Sequence, residues 1–184
     1  GLRTLGAEVR ATVDSMVDAV LLVDDEGRIV ETNRAAVELL GVASKEDLLV
    51  PLRDWGRRFD LRYLDGTPVP YDRYATVRAL AGERIKAYDA MARRADGKDV
   101  YFSVSAAPVE RAGHRLLAVA VLRDVTATRR LDEMREEFLA TAAHEFKTPL
   151  AVVKAYAQLM QKRAPGDPGL AVIQRQVDRL NRLV

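Results

Sequence analysis

The chain has 184 residues, with 29 lysines and arginines against 27 aspartates and glutamates, two histidines and no cysteine. Its apolar and charged fractions are typical of a soluble globular protein. The lack of cysteine excludes disulfide scaffolds and thiolate sites, and two widely separated histidines exclude a histidine-rich metal cluster. A net charge of +2 argues against nucleic-acid binding. No apolar run has the roughly 18 residues of a membrane span, so we expect a cytoplasmic protein. The missing initiator methionine indicates a piece of a longer chain.

The first 17 residues predict an amphipathic helix. Apolar side chains recur at steps of three and four residues, with charges between them, at Leu2, Leu5, Val9, Val13 and Met16. This segment, residues 1–17, is interpreted as an N-terminal signalling helix. It either covers a domain face or forms the end of an incoming coiled coil.

The next region, residues 18–126, predicts a small antiparallel sheet. A short apolar run starting at Ala19 meets an acidic turn that ends at Gly27, and extended character resumes after it. Asn33 is the predicted N-cap of a short helix that ends at Gly41. Residues 42–70 contain three prolines and predict irregular structure, and a second short helix is predicted from Asp72 to Leu80. Three further strands are predicted at 85–93, 100–109 and 116–122.

This region resembles a PAS sensor domain. The resemblance rests on the run GRIVETN at 27–33, the helix that ends at Gly41, and the closing run RDVT at 123–126. It implies an α+β fold with a five-stranded antiparallel sheet and short flanking helices. The closing run joins the last strand to the following helix without Gly, Pro or Ser. Asp124 and Thr126 are therefore predicted to pass conformational change from the sheet to that helix.

Residues 127–184 predict a helical hairpin. The pattern is helical to Lys162, and after a turn at 165–169 a second helix begins at Leu170. At about 100° per residue, one face of the first helix is apolar, and His144 lies opposite that face. The apolar face holds Leu131, Phe138, Ala142, Phe146 and Leu150, and the stripe of the second helix holds Leu170, Ile173, Val177, Leu180 and Val184. Pro149 removes one helical hydrogen bond and predicts a kink one turn after His144.

The string FLATAAHEFKTPL at 138–150 resembles the phosphoacceptor motif of sensor histidine kinases, in the dimerisation and histidine-phosphotransfer domain. The resemblance implies that His144 attacks the γ-phosphate of ATP and passes the phosphoryl group to an aspartate of a response regulator receiver domain. It implies that Glu145 is the general base that sets the tautomer of His144, and that Thr148 positions water for dephosphorylation of the regulator. Lys147 is expected to be solvated.

The partners follow from the same resemblance and from the two unpaired stripes. A hairpin with one stripe on each helix cannot bury both alone, so we expect a homodimer that forms a four-helix bundle. The predicted interface contains Phe138, Ala142, Phe146, Leu150 and Val153. No glycine-rich phosphate loop follows Leu150, so ATP and Mg are expected to act through an ATP-binding domain missing from the chain. The chain alone is expected to be inactive as a kinase and to hold no cofactor or metal.

The sequence does not identify a ligand for the PAS-like domain. The predicted helix 72–80 has no histidine for haem, and His114 is placed in a hairpin turn. Four arginines near Trp55 and Phe59 either bind an anion or form a solvated loop face; they are Arg53, Arg57, Arg58 and Arg62. The alternative is that the domain binds no ligand and serves only as a dimerising relay.

Two other functions compete with the kinase interpretation. In the first, the chain is a non-catalytic adaptor in which the PAS-like domain and coiled coil dimerise another output. The second is a ligand-binding transcription regulator, which the absence of a basic recognition helix disfavours.

Overall fold

A computed structural model describes residue 8 and residues 10–111, 115–163 and 167–182. The chain divides into two compact units, Gly1–Arg129 and Arg130–Val184. The first unit holds a β-sheet with short helices, and the second holds a helical hairpin. Among the helices of the described residues, none is both long enough and apolar enough to cross a membrane.

The first unit is built on a six-stranded sheet in which every neighbouring pair is antiparallel. The strand order across the sheet is β2-β1-β6-β5-β4-β3. The strands are β1 (Ala19–Val23), β2 (Ile29–Thr32), β3 (Arg62–Tyr63), β4 (Ile85–Arg93), β5 (Asp99–Arg111) and β6 (Arg115–Asp124). Because β1 pairs with β6, the first and last strands of this unit lie side by side within the sheet.

Short helices connect the strands. Residue 8 and residues 10–14 form the described part of helix α1. The others in this unit are α2 (Arg34–Leu40), α3 (Leu52–Arg58) and α4 (Ala75–Leu80), with single 3₁₀ turns at Glu46–Leu48 and Tyr71–Arg73. Alternate residues of the central strands are buried together with the apolar sides of these helices, so the unit has one core. Phe59, Phe102 and Leu40 are among its largest fully buried side chains.

The predicted caps of α2 are confirmed. The side-chain oxygen of Asn33 accepts a hydrogen bond from the Ala36 amide, and Gly41 ends the helix with a positive φ of 65°. Asn33 is also fully buried, and its amide group donates to the Val13 and Asp18 carbonyl oxygens at 3.0 and 2.9 Å. One side chain therefore joins α1 and the start of β1 to α2.

The predicted five-stranded sheet is corrected to six strands, and the segment 42–70 is not irregular. It contains α3 and β3, and β3 pairs with Met91 and Ala90 of β4. A two-residue strand is too short to show an alternating pattern, so only its pairing with β4 reveals it. The predicted helix from Asp72 to Leu80 is also divided, because Tyr74 adopts an extended conformation between the 3₁₀ turn and α4.

The second unit contains most of helix α5 (Thr126–Arg163) and all of α6 (Pro168–Asn181). Ala157 on α5 and Leu170 and Val177 on α6 are its buried apolar residues among those described. Lys154 on α5 forms an ion pair with Asp178 on α6 at 2.7 Å. Asp167 caps α6 by accepting from the Gly169 amide, with Pro168 in the first turn.

Candidate functional site

His144 lies on α5, and its side chain is exposed, as the helical pattern predicts. Glu145 and Thr148 are exposed as well. Thr148 is four residues after His144, so the helix brings these two side chains to one face, one turn apart. An imidazole, a carboxylate and a hydroxyl thus lie close together on the helix and are exposed.

Helix α5 continues through Pro149 from Thr126 to Arg163. Proline has no amide hydrogen, so the Glu145 carbonyl loses its helical donor at this position. The predicted kink stays a prediction.

The apolar face of α5 is largely uncovered in the single chain. Phe138 is 70% exposed and Phe146 is 58% exposed, whereas Ala142 and Leu150 are half-buried. The face that is predicted to be buried in a homodimer is therefore left uncovered within one chain. The reason is that α6 covers only the side of α5 that carries Ala157 and Lys154.

The predicted apolar stripe of α6 is also only partly buried. Leu170 and Val177 are buried, whereas Ile173 and Leu180 are exposed. Val184 lies outside the described residues. The hairpin buries one side of each helix and leaves a second apolar side exposed among the described residues.

The junction between β6 and α5 is held by specific hydrogen bonds. The hydroxyl of Thr126 accepts from the Tyr101 amide at 2.9 Å, and its amide donates to the Asp124 carboxylate at 2.8 Å. Arg123, at the end of β6, forms a salt bridge with Asp18 at 3.0 Å, and this contact raises the pKa of Arg123. Asp18 directly precedes β1, so the two ends of the sheet region are joined here. Sequence reasoning singled out Asp124 and Thr126 but missed Tyr101 and Asp18, because nothing local marks these contacts.

The four arginines do not converge on one site. Arg53 stacks over Tyr71 at 4.5 Å, Arg58 donates to the Asp47 carbonyl at 2.8 Å, and Arg62 pairs with Asp60 at 2.9 Å. The remaining side chain, Arg57, is exposed. Each arginine has its own surroundings, so the structure gives no support to an anion site there. His114 lies outside the described residues.

The core of the first unit contains a small cavity of about 40 Å³. Trp55 of α3 and Tyr74 before α4 line it, together with apolar side chains of the sheet such as Phe102 and Leu122. Burial raises the pKa of the Tyr74 hydroxyl above its ordinary value. The sequence gives no sign of this cavity, because its lining comes from residues far apart in the chain.

Two family profiles match adjacent parts of the chain. The family described as "PAS fold" matches residues 13–130. The family described as "His Kinase A (phospho-acceptor) domain" matches residues 134–184.

Several curated proteins resemble the chain over nearly its whole length. The alginate biosynthesis sensor protein KinB of Pseudomonas aeruginosa is 30% identical over 181 residues, which are 96% of this chain and 28% of that protein. The sensor protein SrrB of Staphylococcus aureus is 23% identical over 179 residues, or 94% of this chain and 26% of that protein. The chain therefore spans about a quarter of the length of these relatives.

Solved structures resemble the sheet region. The PAS domain of an HTR-like protein from Haloarcula marismortui aligns with a TM-score of 0.50 and 20% identity, covering 67% of this chain and 93% of that one. An RNA-binding light-oxygen-voltage receptor aligns with a TM-score of 0.52 and 21% identity, covering 76% of this chain and 38% of that one. At these identities the alignments show the fold alone.

Proposed function

Because the chain belongs to the PAS family and carries a phosphoacceptor domain of histidine kinases, we propose that His144 is the residue that accepts the phosphoryl group. One observation carries this assignment. The chain has two histidines, and His144 is the one that lies within the matched phosphoacceptor domain, residues 134–184. It is exposed on a long helix, where a nucleotide held by another domain has access to it.

The proposed chemistry is a displacement at phosphorus. A ring nitrogen of neutral His144 attacks the γ-phosphorus of ATP, the bond from that phosphorus to the bridging oxygen breaks, and ADP leaves. Glu145 accepts the proton from the other ring nitrogen, which fixes the tautomer and removes the positive charge that develops on the ring. In the second step an aspartate oxygen of a receiver domain attacks the phosphorus, and the bond to the His144 nitrogen breaks.

Thr148 is proposed to act in the dephosphorylation of the response regulator. Its hydroxyl lies on the face of α5 that carries His144, where a docked receiver domain would be bound. From there it orients water toward the phosphorylated aspartate. Lys147 is exposed and is assigned no role in the transfer.

The ATP-binding domain is proposed to be supplied separately from these 184 residues. Phosphoryl transfer needs a site that holds the nucleotide phosphates and Mg²⁺. No glycine-rich phosphate loop occurs in the sequence after Leu150. We expect the chain by itself to be phosphorylated only when that domain is added in trans.

The second apolar side of the hairpin supports a homodimer. Phe138, Phe146 and Val153 on α5 and Ile173 and Leu180 on α6 are exposed large apolar residues. Two copies that join these surfaces would bury them in a four-helix bundle. The cytoplasm, where ATP and receiver domains occur, is the proposed location.

The test uses the native chain, a separately purified ATP-binding domain of a related kinase, and radiolabelled ATP. We expect label on the chain that is stable in base and labile in acid, as for a phosphorus–nitrogen bond. His144→Gln abolishes this label. The matched control is His114→Gln, which removes the other histidine and leaves labelling unchanged.

Two outcomes would contradict the assignment. Label that persists in His144→Gln would place the acceptor elsewhere. A native chain that stays unlabelled, while a control phosphoacceptor domain is labelled by the same ATP-binding domain, would favour the non-catalytic adaptor.

The junction supports a proposal for signal transfer. Thr126 attaches the start of α5 to the sheet by accepting from the Tyr101 amide, and its own amide donates to Asp124 at the end of β6. We expect an insertion of two glycines after Thr126 in the intact kinase to abolish the response of autophosphorylation to stimulus. An insertion that leaves the response unchanged would show that the junction does not transmit it.

A further inference from the structure

A row of charged side chains crosses the sheet at the end where α5 begins. Asp89 of β4 lies opposite Ser103 of β5, and Ser103 lies opposite Arg123 of β6. Asp18 continues the row beyond Arg123 and forms an ion pair with it at 3.0 Å. On the other side, Arg129 of α5 forms an ion pair with Asp89 at 3.5 Å. We call these four charged residues the charge row.

The charge row lies on the face of the sheet that is turned away from the core. Ala90, Phe102 and Leu122 are buried in the core. Side chains alternate along a strand, so the row residues next to these three lie on the opposite face. All four charged side chains of the row are partly exposed. Ion pairs at such exposure are weak, so they open and re-form without unfolding the sheet.

The ion pair of Arg129 is a second attachment of α5 to the sheet. The first is Thr126, whose hydroxyl accepts from the Tyr101 amide of β5 at 2.9 Å. Thr126 and Arg129 are three residues apart, so they lie on one face of the helix, one turn apart. One attachment point leaves a helix free to pivot, whereas two points on two different strands fix its direction. Arg129 is therefore a positioning residue for the first turn of α5.

Arg123 is placed to compete with Arg129 for Asp89. The register separates Arg123 from Asp89 by Ser103, and two strand spacings are roughly 10 Å. Long side chains reach across such separations when the residue between them is small. Two guanidinium groups at one carboxylate repel each other, so a gain by Arg123 weakens the pair of Arg129. In this structure Asp18 holds Arg123 and leaves Asp89 to Arg129.

Asp18 is tied to α1 by a buried side chain. The amide group of Asn33 donates to the carbonyl oxygen of Asp18 at 2.9 Å and to that of Val13 in α1 at 3.0 Å. A displacement of α1 that is carried through Asn33 therefore moves Asp18 as well. The two helices α1 and α5 are thus connected to opposite ends of the charge row.

We propose that the charge row is a partner-exchange switch between α1 and α5. In one state Asp18 holds Arg123, and Arg129 pairs with Asp89, so the first turn of α5 is fixed at two points. In the other state Asp18 is displaced, Arg123 pairs with Asp89, and α5 keeps only its attachment at Thr126. The switch goes beyond the proposed phosphoacceptor function, and it adds an input from α1 to the proposed signal transfer at the junction.

The test is amide hydrogen exchange in the full chain, labelled with ¹⁵N and followed by NMR. The Arg129 amide donates to the Val125 carbonyl at 2.9 Å, so its exchange rate reports opening of the first turn of α5. Asp89→Asn removes the partner of Arg129, and we expect exchange to become about 1.4- to 5-fold faster, the worth of a partly exposed ion pair. The matched control is Asp25→Asn in the exposed turn after β1. It makes the same change in net charge outside the row and should leave the rate unchanged.

The exchange of partners is tested at Asp18, at the far end of the row from α5. Asp18→Asn should also speed up exchange of the Arg129 amide, because it releases Arg123 to pair with Asp89. In an Arg123→Gln background the same change should have no effect, since the competitor is absent. A second readout is the side-chain Nε–H signal of Arg123. Adding Asp89→Asn should shift this signal in Asp18→Asn but not in the native chain.

Three results would overturn the proposal. The first is an Asp89→Asn chain in which the Arg129 amide exchanges at the native rate, because the ion pair would then not hold α5. The second is an Asp18→Asn chain with the native rate. The third is an effect of Asp18→Asn that persists in the Arg123→Gln background, which would show that Asp18 acts through packing. None of these measurements involves phosphorylation, so this proposal and the assignment of His144 fail or succeed independently.

Discussion

The two units of the chain differ in how completely they bury their large apolar side chains. The sheet unit encloses its large side chains, and Phe59 at its centre is fully buried. The helical unit leaves Phe138 and Phe146 exposed and buries only small or medium apolar residues between its two helices. The sheet unit therefore has a complete core of its own, whereas the hairpin needs a second apolar surface. This difference fits the proposal that the hairpin buries its second apolar surface in a homodimer.

The largest expected effect comes from changing one phenylalanine in each unit. Phe59→Ala should lower the free energy of unfolding of the sheet unit by about 3–5 kcal/mol, because it removes a buried ring and leaves a cavity. Phe138→Ala should change that free energy by less than about 0.5 kcal/mol, because its ring is exposed in the single chain. Urea unfolding followed by Trp55 fluorescence measures both.

The same pair should show the opposite order in assembly. Phe138→Ala should weaken dimerisation by at least tenfold, since burial of a phenylalanine contributes about 1.5–3 kcal/mol. Phe59→Ala should leave the dissociation constant of the dimer unchanged at temperatures where the sheet unit is folded. Sedimentation equilibrium measures these constants. A Phe138→Ala dimer as tight as the native one would show that another surface holds the copies together.

A smaller effect is expected from a glycine in each unit. A Cβ atom added to Gly56 of α3 would lie 1.8 Å from the Tyr74 hydroxyl oxygen and 2.6 Å from its ring carbon Cζ. Gly56→Ala should therefore destabilise the sheet unit by about 1–3 kcal/mol, although the same change in an open helix is stabilising. Tyr74→Leu removes both atoms, so in that background Gly56→Ala should lower the free energy of unfolding by less.

The matched control for that prediction is Gly169→Ala in α6, where the nearest atom to an added Cβ is the Asp167 carboxylate oxygen at 3.1 Å. In thermal unfolding followed by circular dichroism, Gly169→Ala should lower the midpoint temperature by less than Gly56→Ala does. An equal penalty for Gly56→Ala with and without Tyr74 would contradict the close approach of Tyr74 to α3.

The smallest effect is expected from the ion pair of the hairpin. Lys154 and Asp178 are both partly exposed, so their interaction should contribute only about 0.2–1 kcal/mol. Lys154→Met should lower the stability of the hairpin by that amount in low salt, and the difference should shrink as salt screens the charges. Chemical denaturation at two salt concentrations measures it. A salt-independent loss would indicate that the lysine acts through its packing instead.

Local signals predicted some features well. Asn33 and Gly41 were read correctly as helix caps because capping depends on residues only a few positions apart. The exposure of His144 followed from helical periodicity alone. Features that depend on distant partners were missed, and β3 is an example, since it exists through pairing with Met91 and Ala90. The division of the predicted helix at Tyr74 was also missed, because no Gly or Pro between Asp72 and Leu80 marks a break.

The sequence by itself determined the order of the two units, the phosphoacceptor string around His144 and the caps of the short helices, because each depends on a local pattern of residue types. Only the tertiary structure decided which sides of α5 and α6 face each other, which residues hold the start of α5, and that Trp55 lines a cavity with its donor unpaired. These features arise where residues far apart in the chain meet, so their packing and hydrogen bonds have no local signature. For this reason the contacts that hold the start of α5 emerged from the structure, whereas the string that resembles a phosphoacceptor motif was already visible in the sequence.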